Sequence, residues 1–420
     1  MISTKKRYKN AFFITAICSL VYFVSYFARK DFAISMAGMI EAGVIDKDAG
    51  GLIGTALFIT YGIGQLVSGY LGDKIKPGII ICFGLGVTCA ANAVFPFVKD
   101  QYMMIPVWAV NGFAQAMLWP PIVRILAGAL DHNAFVKANL CVTSAAHIST
   151  VLLYAYVPLC LSVADWKTVF YTAAGVSLAV LVLFTVLMWH MLTAPTKYPN
   201  QRNIKRKKAK SAKGGEPFLK IAHGAGLIPI FVSIVAMGFL RDGIESWLPT
   251  LYNEVVGGTA AASTLLSSIL PIFAILSIAI ITALHKTRLF KNEVLGAMII
   301  FIACIALALP LPFIMKHESS LLRGTCLIIS ALITACMHGI NFLLISCLPG
   351  RFVKTGRTST ASGITNAFVY VGAAISSYAL PAISTRFDWS ASALSWIIVS
   401  AIGVIFALLA IRRYTAFIKE

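Results

Sequence analysis

Apolar runs of about twenty residues recur along this 420-residue chain, and a run of that length is what an α-helix needs to cross the ~30 Å hydrocarbon core of a bilayer. Twelve can be drawn, at 11–40, 50–71, 78–98, 102–129, 136–162, 167–192, 225–252, 262–284, 293–314, 321–347, 357–384 and 391–411. Inside lipid, backbone amides must bond within their own segment, so the runs are read as helices. Composition agrees. The chain is 59% hydrophobic and 12% charged, against roughly 25% charged in soluble domains. The expected fold is an all-α membrane protein of twelve transmembrane helices in two six-helix, pseudo-symmetric bundles.

The net charge of +19 suggests nucleic acid only until its distribution is seen. The cations sit in short loops between apolar runs, where they set orientation. One side carries Lys5, Lys6, Arg7, Lys9, Lys74, Lys76, Lys137, nine in the stretch from Lys197 to Lys220, Lys286, Arg288, Lys291, Arg351, Lys354, Arg357, Arg412, Arg413 and Lys419. The other carries Lys47, Lys99, Lys167, Lys316, Arg323 and Arg386. The chain is therefore expected to be a multi-pass protein of the cell membrane with both termini cytoplasmic, bound to the lipid bilayer and not to nucleic acid. The first run is too long for a signal-peptide core and no small-residue cleavage site follows it, so it is read as a retained helix. The hydrophilic stretch from Thr193 to Lys220 divides the runs six and six. It gives an N-terminal bundle at 1–192, a basic cytoplasmic linker at 193–220 and a C-terminal bundle at 221–420. All nine cysteines fall in apolar runs with no CxxC pair, as small core residues do.

Charges inside the runs carry the chemistry. YFVSYFARKDFAISM (22–36) puts Arg29, Lys30 and Asp31 within apolar sequence, where a cation costs at least ~3 kcal/mol on insertion scales and calls for a partner, a cavity or a substrate. Either the site takes an anion, or the helix ends near Arg29 and its cations snorkel to the interface. Tyr22, Tyr26 and Arg29 share one helical face, as a donor-rich stripe suited to phosphate oxygens or as interface-belt aromatics. In LRDGIESWLPT (240–250), Arg241 and Glu245 stand at i, i+4, as an internal ion pair or as a glutamate that yields its arginine to an anion. His147 lies on a polar face with Thr143, Thr150 and Tyr154, titrating near neutrality if it works in the site. Tyr61 with Gln65, His338 with Asn341, and Ser359, Ser362, Asn366 and Tyr370 form further polar stripes at helical spacing, which also serve as glue between helices. Trp119, Pro120 and Pro121 mark a break where an aromatic can wall a cavity. Arg124 reads as a snorkelling or gate residue.

The halves echo one another, FAR at 27–29 in the first run answering FLR at 239–241 in the seventh. GYLGDKIKPG (69–78) resembles the signature loop of the major facilitator superfamily, which implies that Asp73 steadies one conformation. YFVSYFARKDFAISM, Tyr61-Gly62 leading to GDK, AMLWPPIVR (116–124), SAAHIS around His147 and LRDGIESWLPT together resemble the organophosphate:phosphate antiporters, the group that includes glycerol-3-phosphate and hexose-6-phosphate transporters. The resemblance runs over most of the chain. It implies that Arg29 and Arg241 clamp the phosphate, that His147, Tyr22 and Tyr26 belong to the site, and that Lys30, Tyr61, Trp119 and Tyr370 line the pore. The chain departs from the glycerol-3-phosphate pattern at Gln65, in place of a lysine, at Gly238, in place of a tyrosine, in lacking an acidic residue near Pro271, and at His338.

The implied function is rocker-switch exchange of a phosphorylated organic anion, a sugar or glycerol phosphate, for inorganic phosphate, by a single chain. Two alternatives stand beside it: a proton-coupled carrier of another organic anion using His147, Asp31 or Glu245, and a membrane receptor for sugar phosphate. No Walker loop, metal-spaced His/Glu cluster or nucleophile elbow points to an enzyme, and no cofactor is implied.

Overall fold

The computed structural model describes residues 4–72, 75–193, 218–287, 289–353, 355 and 358–419, and among these every regular element is helical. Eleven helices are long and apolar enough to cross a bilayer. They include Thr4–Glu41, Lys47–Gly72, Pro77–Val94, His132–Val163, Trp166–Thr193 and Leu227–Val256. The expected fourth crossing, 102–129, is not one helix but two, Met104–Ala116 and Trp119–Ala129, each too short alone. Pro120 and Pro121 explain the break. They remove the two N–H groups that would bond the carbonyls of Ala116 and Met117, and the chain tightens instead through Met117 N–H to Ala114 (3.0 Å) and Leu118 N–H to Gln115 (3.2 Å).

In the C-terminal half the ninth span divides before Pro310 into Glu293–Ala308 and Leu311–Met315, and the eighth and tenth are interrupted too. The eighth span divides at Ser267 into Ala260–Leu266 and Ile269–Leu284, just before Pro271. The tenth runs as Ser320–Asn341 and then widens into a π-turn, Phe342–Cys347, followed by a 3-10 turn, Leu348–Val353. The fourth and tenth spans hold corresponding places in the two halves, so both halves carry a break in the same member. Of the linker expected at 193–220, residues 194–217 lie outside the described residues, as does Asp73, whereas Thr193 ends one helix and 218–220 open another, Phe218–Gly224. Cys141 is exposed on its helix, a departure from the core role expected of every cysteine.

Small residues set the closest packing. A Cβ on Gly238 would fall on the backbone carbonyl of Val369, and one on Gly372 would fall on that of Val235. The seventh span (Leu227–Val256) and the eleventh (Thr358–Arg386) therefore meet backbone to backbone, as glycine permits. Gly238, a departure at the sequence level, thus has a packing reason. The two halves touch along Gly51 and Gly54 of the second span. A Cβ on Gly51 would lie 2.8 Å from the Ser377 carbonyl, and one on Gly54 would strike the Ser377 hydroxyl. Ser377 Oγ donates to the Gly51 carbonyl at 3.2 Å, and Thr55 Oγ1 to that of Ala374 at 3.0 Å.

These contacts lie toward the end of the bundle away from the chain termini. Farther out on that side, Lys47 pairs with Glu254 at 2.5 Å, Trp389 Nε1 donates to the same carboxylate at 2.9 Å, and Glu41 accepts the Ala260 N–H at 2.7 Å. Toward the termini, ring contacts between the halves end at Tyr61 against Tyr370 and His147 against His338. The halves are thus bonded to each other at the distal end and as far as mid-depth.

Candidate functional site

Two clusters of candidate residues lie between the halves at mid-helix depth. The first surrounds Arg29, whose Cζ stands 4.2 Å from the centre of the Tyr26 ring and 4.9 Å from that of Tyr61. The 22, 26, 29 spacing brings this about, because i, i+4, i+7 stacks the three side chains on one face. Tyr22 meets Tyr26 edge-on at 5.1 Å and Trp119 at 4.7 Å. Trp119 reaches that position because the break in the fourth span starts a new helix at it. Tyr61 packs on Tyr370 of the other half at 4.5 Å. Arg29 is thus a half-buried cation in a cup of rings, and among the described residues no carboxylate oxygen lies within 4.0 Å of it.

The second cluster is built from charges. Arg241 donates from Nη2 to Asp242 at 2.7 Å and from Nη1 to Asn341 Oδ1 at 2.8 Å. Asn341 is the last residue before the π-turn of the tenth span. Glu245 accepts from Lys30 Nζ at 2.7 Å across the interface between halves and from His338 Nε2 at 2.7 Å. Its backbone carbonyl accepts the Tyr154 hydroxyl at 3.3 Å. His338 lies 6.3 Å, ring centre to ring centre, from His147 of the opposite half. His147 Nδ1 donates to the Thr143 carbonyl at 2.9 Å, which leaves Nε2 as the free acceptor of a neutral ring.

This arrangement corrects one expectation. Arg241 and Glu245 form no ion pair with each other. Asp242, next in sequence, and Asn341, across from it, occupy the guanidinium, while Lys30 reaches over from the first span to take the glutamate. Arg124 turns inward within its own half and donates to the Ile75 carbonyl at 2.9 Å. Gln65 has a buried Nε2 with no protein partner, and Asn366 is half-buried; neither joins the two clusters by a hydrogen bond. Tyr370 approaches the first cluster through its contact with Tyr61, the ring that faces Arg29.

Sequence reading missed the distal closure. Lys47 and Glu254 look like ordinary loop charges, and only their opposite signs at the ends of spans in different halves hint that they pair. The buried amides Asn92, Asn111 and Gln115 were missed too, although amides amid apolar sequence are themselves a signal.

Comparison with known proteins agrees with the architecture. A family model described as Major Facilitator Superfamily matches residues 18–377. A probable hexose phosphate transport protein of Chlamydia trachomatis is 35% identical over 125 residues, 29% of this chain and 27% of that one; that match therefore spans about a quarter of the relative's length. The glycerol-3-phosphate transporter of Bacillus subtilis is 24% identical over 400 residues, covering 91% of this chain and 88% of the relative. The membrane sensor protein UhpC of Escherichia coli is 31% identical over 107 residues, 26% of this chain and 24% of that one. Among solved structures, a bacterial homologue of the lysosomal transporter Spinster, inward-facing and unoccupied, superposes with TM-score 0.73 at 11% identity, covering 97% of this chain and 98% of that one.

Proposed function

The chain belongs to the major facilitator superfamily, and from that premise we propose that it carries a phosphorylated organic anion, a sugar or glycerol phosphate, in exchange for inorganic phosphate. The observation that carries this reading is Arg29. A guanidinium at mid-span depth that lacks an internal carboxylate, and whose faces are covered by Tyr26 and Tyr61, is a binding group for an anion. Its planar fork suits two phosphate oxygens at once, and the phenols around it supply further donors. Arg241 is the second arm of the clamp. The names of the sequence relatives support the same class of cargo.

With the termini cytoplasmic, as the loop charges imply, the distal closure faces outward and the site is reached from the cytoplasm. In this state Lys30 and Glu245 tie the halves together just beyond the site. An anion entering from the cytoplasm first meets Arg29. As it draws Arg241 and Lys30 toward itself, Asp242 and Glu245 lose their partners, and the bond across the halves weakens. The ligand thereby gains contacts in the state it leads to, which is what any ligand that shifts a conformational equilibrium must do. His147 and His338 lie beside this exchange, 6.3 Å apart across the halves. Phosphate bound in place of the organic cargo meets the same groups, so exchange needs no second site.

The test is uptake of radiolabelled phosphate into proteoliposomes preloaded with phosphate, glycerol-3-phosphate, glucose-6-phosphate or buffer. Uptake stimulated by internal phosphate or organophosphate, and lost in Arg29→Lys, is expected. Absence of exchange in folded protein under every loading would overturn the exchanger. The match to a membrane sensor makes a receptor the second reading, and saturable sugar-phosphate binding without flux is its outcome.

A further inference from the structure

The first span turns another face inward, toward its own half, and that face also carries a charge. Asp31 is fully buried there. Its Oδ1 accepts the N–H of Phe32 at 2.8 Å, the amide one helical turn beyond the carbonyl of Ala28. That carbonyl is crowded. Asn92 Nδ2 of the third span donates to it at 3.2 Å, Asn111 Nδ2 of the fourth at 3.0 Å and Gln115 Nε2 at 3.5 Å. Donation to a carbonyl fixes each amide, with nitrogen toward Ala28 and oxygen away. Gln115 Oε1 is satisfied by the Ser25 hydroxyl at 2.6 Å. Asp31 Oδ2, Asn92 Oδ1 and Asn111 Oδ1 are not: all three are buried acceptors without a donor. The hydroxyls of Ser35, one turn past Asp31, and Thr88, one turn before Asn92, are buried and unpartnered as well.

An unpaired buried acceptor costs about 1–3 kcal/mol, and an isolated carboxylate far more. The neighbouring cations do not relieve Asp31, since Lys30 is bonded to Glu245 and Arg29 lies among its rings. A proton on Asp31 would add one donor for one acceptor and leave the others as they are. A small cation serves several oxygens together. The donor set at this level is all oxygen, one carboxylate and two amides, which suits a hard cation. One carboxylate balances a monovalent ion, whereas a divalent ion would leave net charge in the core.

We propose that Asp31, Asn92 and Asn111 form a sodium site inside the N-terminal half. The site is coupled to anion binding by charge. Arg29, Lys30 and Arg241 are matched by Asp31, Asp242 and Glu245, so the surplus that attracts an anion exists when Asp31 is neutralised. Asp31 is two residues from Arg29 on one rigid helix. By linkage, sodium raises anion affinity and the anion raises sodium affinity by one factor.

The site is tested without phosphate, by thermal unfolding of the purified full chain in NaCl, KCl and choline chloride at equal ionic strength. The expected result is a Tm that climbs with sodium concentration and does not climb in choline. The sodium response is lost in Asp31→Asn and, with the carboxylate kept, in Asn111→Ala. Equal shifts in the three salts, a sodium shift that survives both substitutions, or a response to acidification in place of sodium would overturn the site. The coupling rests on the anion-transport reading and is read separately: sodium should lower the Kd for inorganic phosphate at least about fivefold, and an unchanged Kd beside an intact sodium shift removes the coupling. Loss of phosphate exchange leaves the thermal result standing, so the two readings fail independently.

Discussion

Arg29 and Arg241 hold equivalent places in the two halves, yet their surroundings are opposite. Arg29 is cupped by aromatic rings and owes nothing to an internal anion. Arg241 is already engaged by Asp242 and Asn341. A pair of sequence-equivalent arginines is therefore not a symmetric clamp. On the proposed function, the ring-lined arginine would be ready for an anion on arrival, whereas the carboxylate-bound one would have to exchange partners, so engagement would have an order: Arg29 first, Arg241 as the halves move.

The largest effect should come from Arg29→Lys. It removes a two-pronged contact whose charge-assisted hydrogen bonds are worth roughly 1.5–3 kcal/mol each, so equilibrium phosphate affinity should fall about 100-fold or more. Arg241→Lys should cost less in binding and more in exchange rate; a larger loss of affinity there would reverse the comparison. Next is the bridge between halves. Glu245→Gln strands the largely buried charge of Lys30, a change worth up to about 3–5 kcal/mol when burial is complete, and Lys30→Met leaves Glu245 its His338 hydrogen bond but no lysine across the interface. The equilibrium should shift toward distal opening by about tenfold, read from the labelling of a cysteine placed at Ser377, and the double variant should return toward the parent. Asp242→Asn frees Arg241 and should tighten phosphate binding about threefold to tenfold in the same binding assay. Tyr61→Phe keeps the ring over Arg29 and should change affinity about twofold at most, whereas Tyr61→Leu loses a cation–π contact of about 0.5–2 kcal/mol.

The smallest effect belongs to a pair outside the membrane. Asp388 is held at about 2, chiefly by the Ser390 hydroxyl, then by the Ala391 N–H and Lys316. Because its folded pKa lies below the unfolded value, its contribution is present at neutral pH and disappears as pH falls from the ordinary carboxylate range through about 2. Both partners are well exposed, so Asp388→Asn should move stability by less than about 0.5 kcal/mol. A large change would mean that exposed and buried bridges are less different here than the arginine comparison implies.

The long spans were legible because lipid leaves an apolar run of that length one way to satisfy its backbone. The break in the fourth span was legible too, since Trp119-Pro120-Pro121 states it in the sequence. Helical spacing was enough to group Tyr22, Tyr26 and Arg29. It failed for Arg241 and Glu245, because i, i+4 proximity says two groups can meet and not that they prefer each other over Asn341 or Lys30. Partners of that kind come from other helices, about 100 and 215 residues away, and no local pattern reports them. For the same reason the three amides gathered on Ala28 were invisible one at a time.

The reciprocal glycine contacts of the seventh and eleventh spans have a mechanical consequence. Backbones in direct contact cannot slide past one another without a clash, so the two helices behave as a single stiff lever with no slack. Arg241 rides on one and Tyr370 on the other, and farther along the same lever Trp247 Nε1 is bonded to the Ser377 carbonyl at 3.1 Å, where the second span's Gly51 and Gly54 rest. In the proposed exchange, a pull on Arg241 would be delivered along this lever to the distal closure. A bulkier residue at Gly238 would loosen that transmission and leave binding with less hold over the gate.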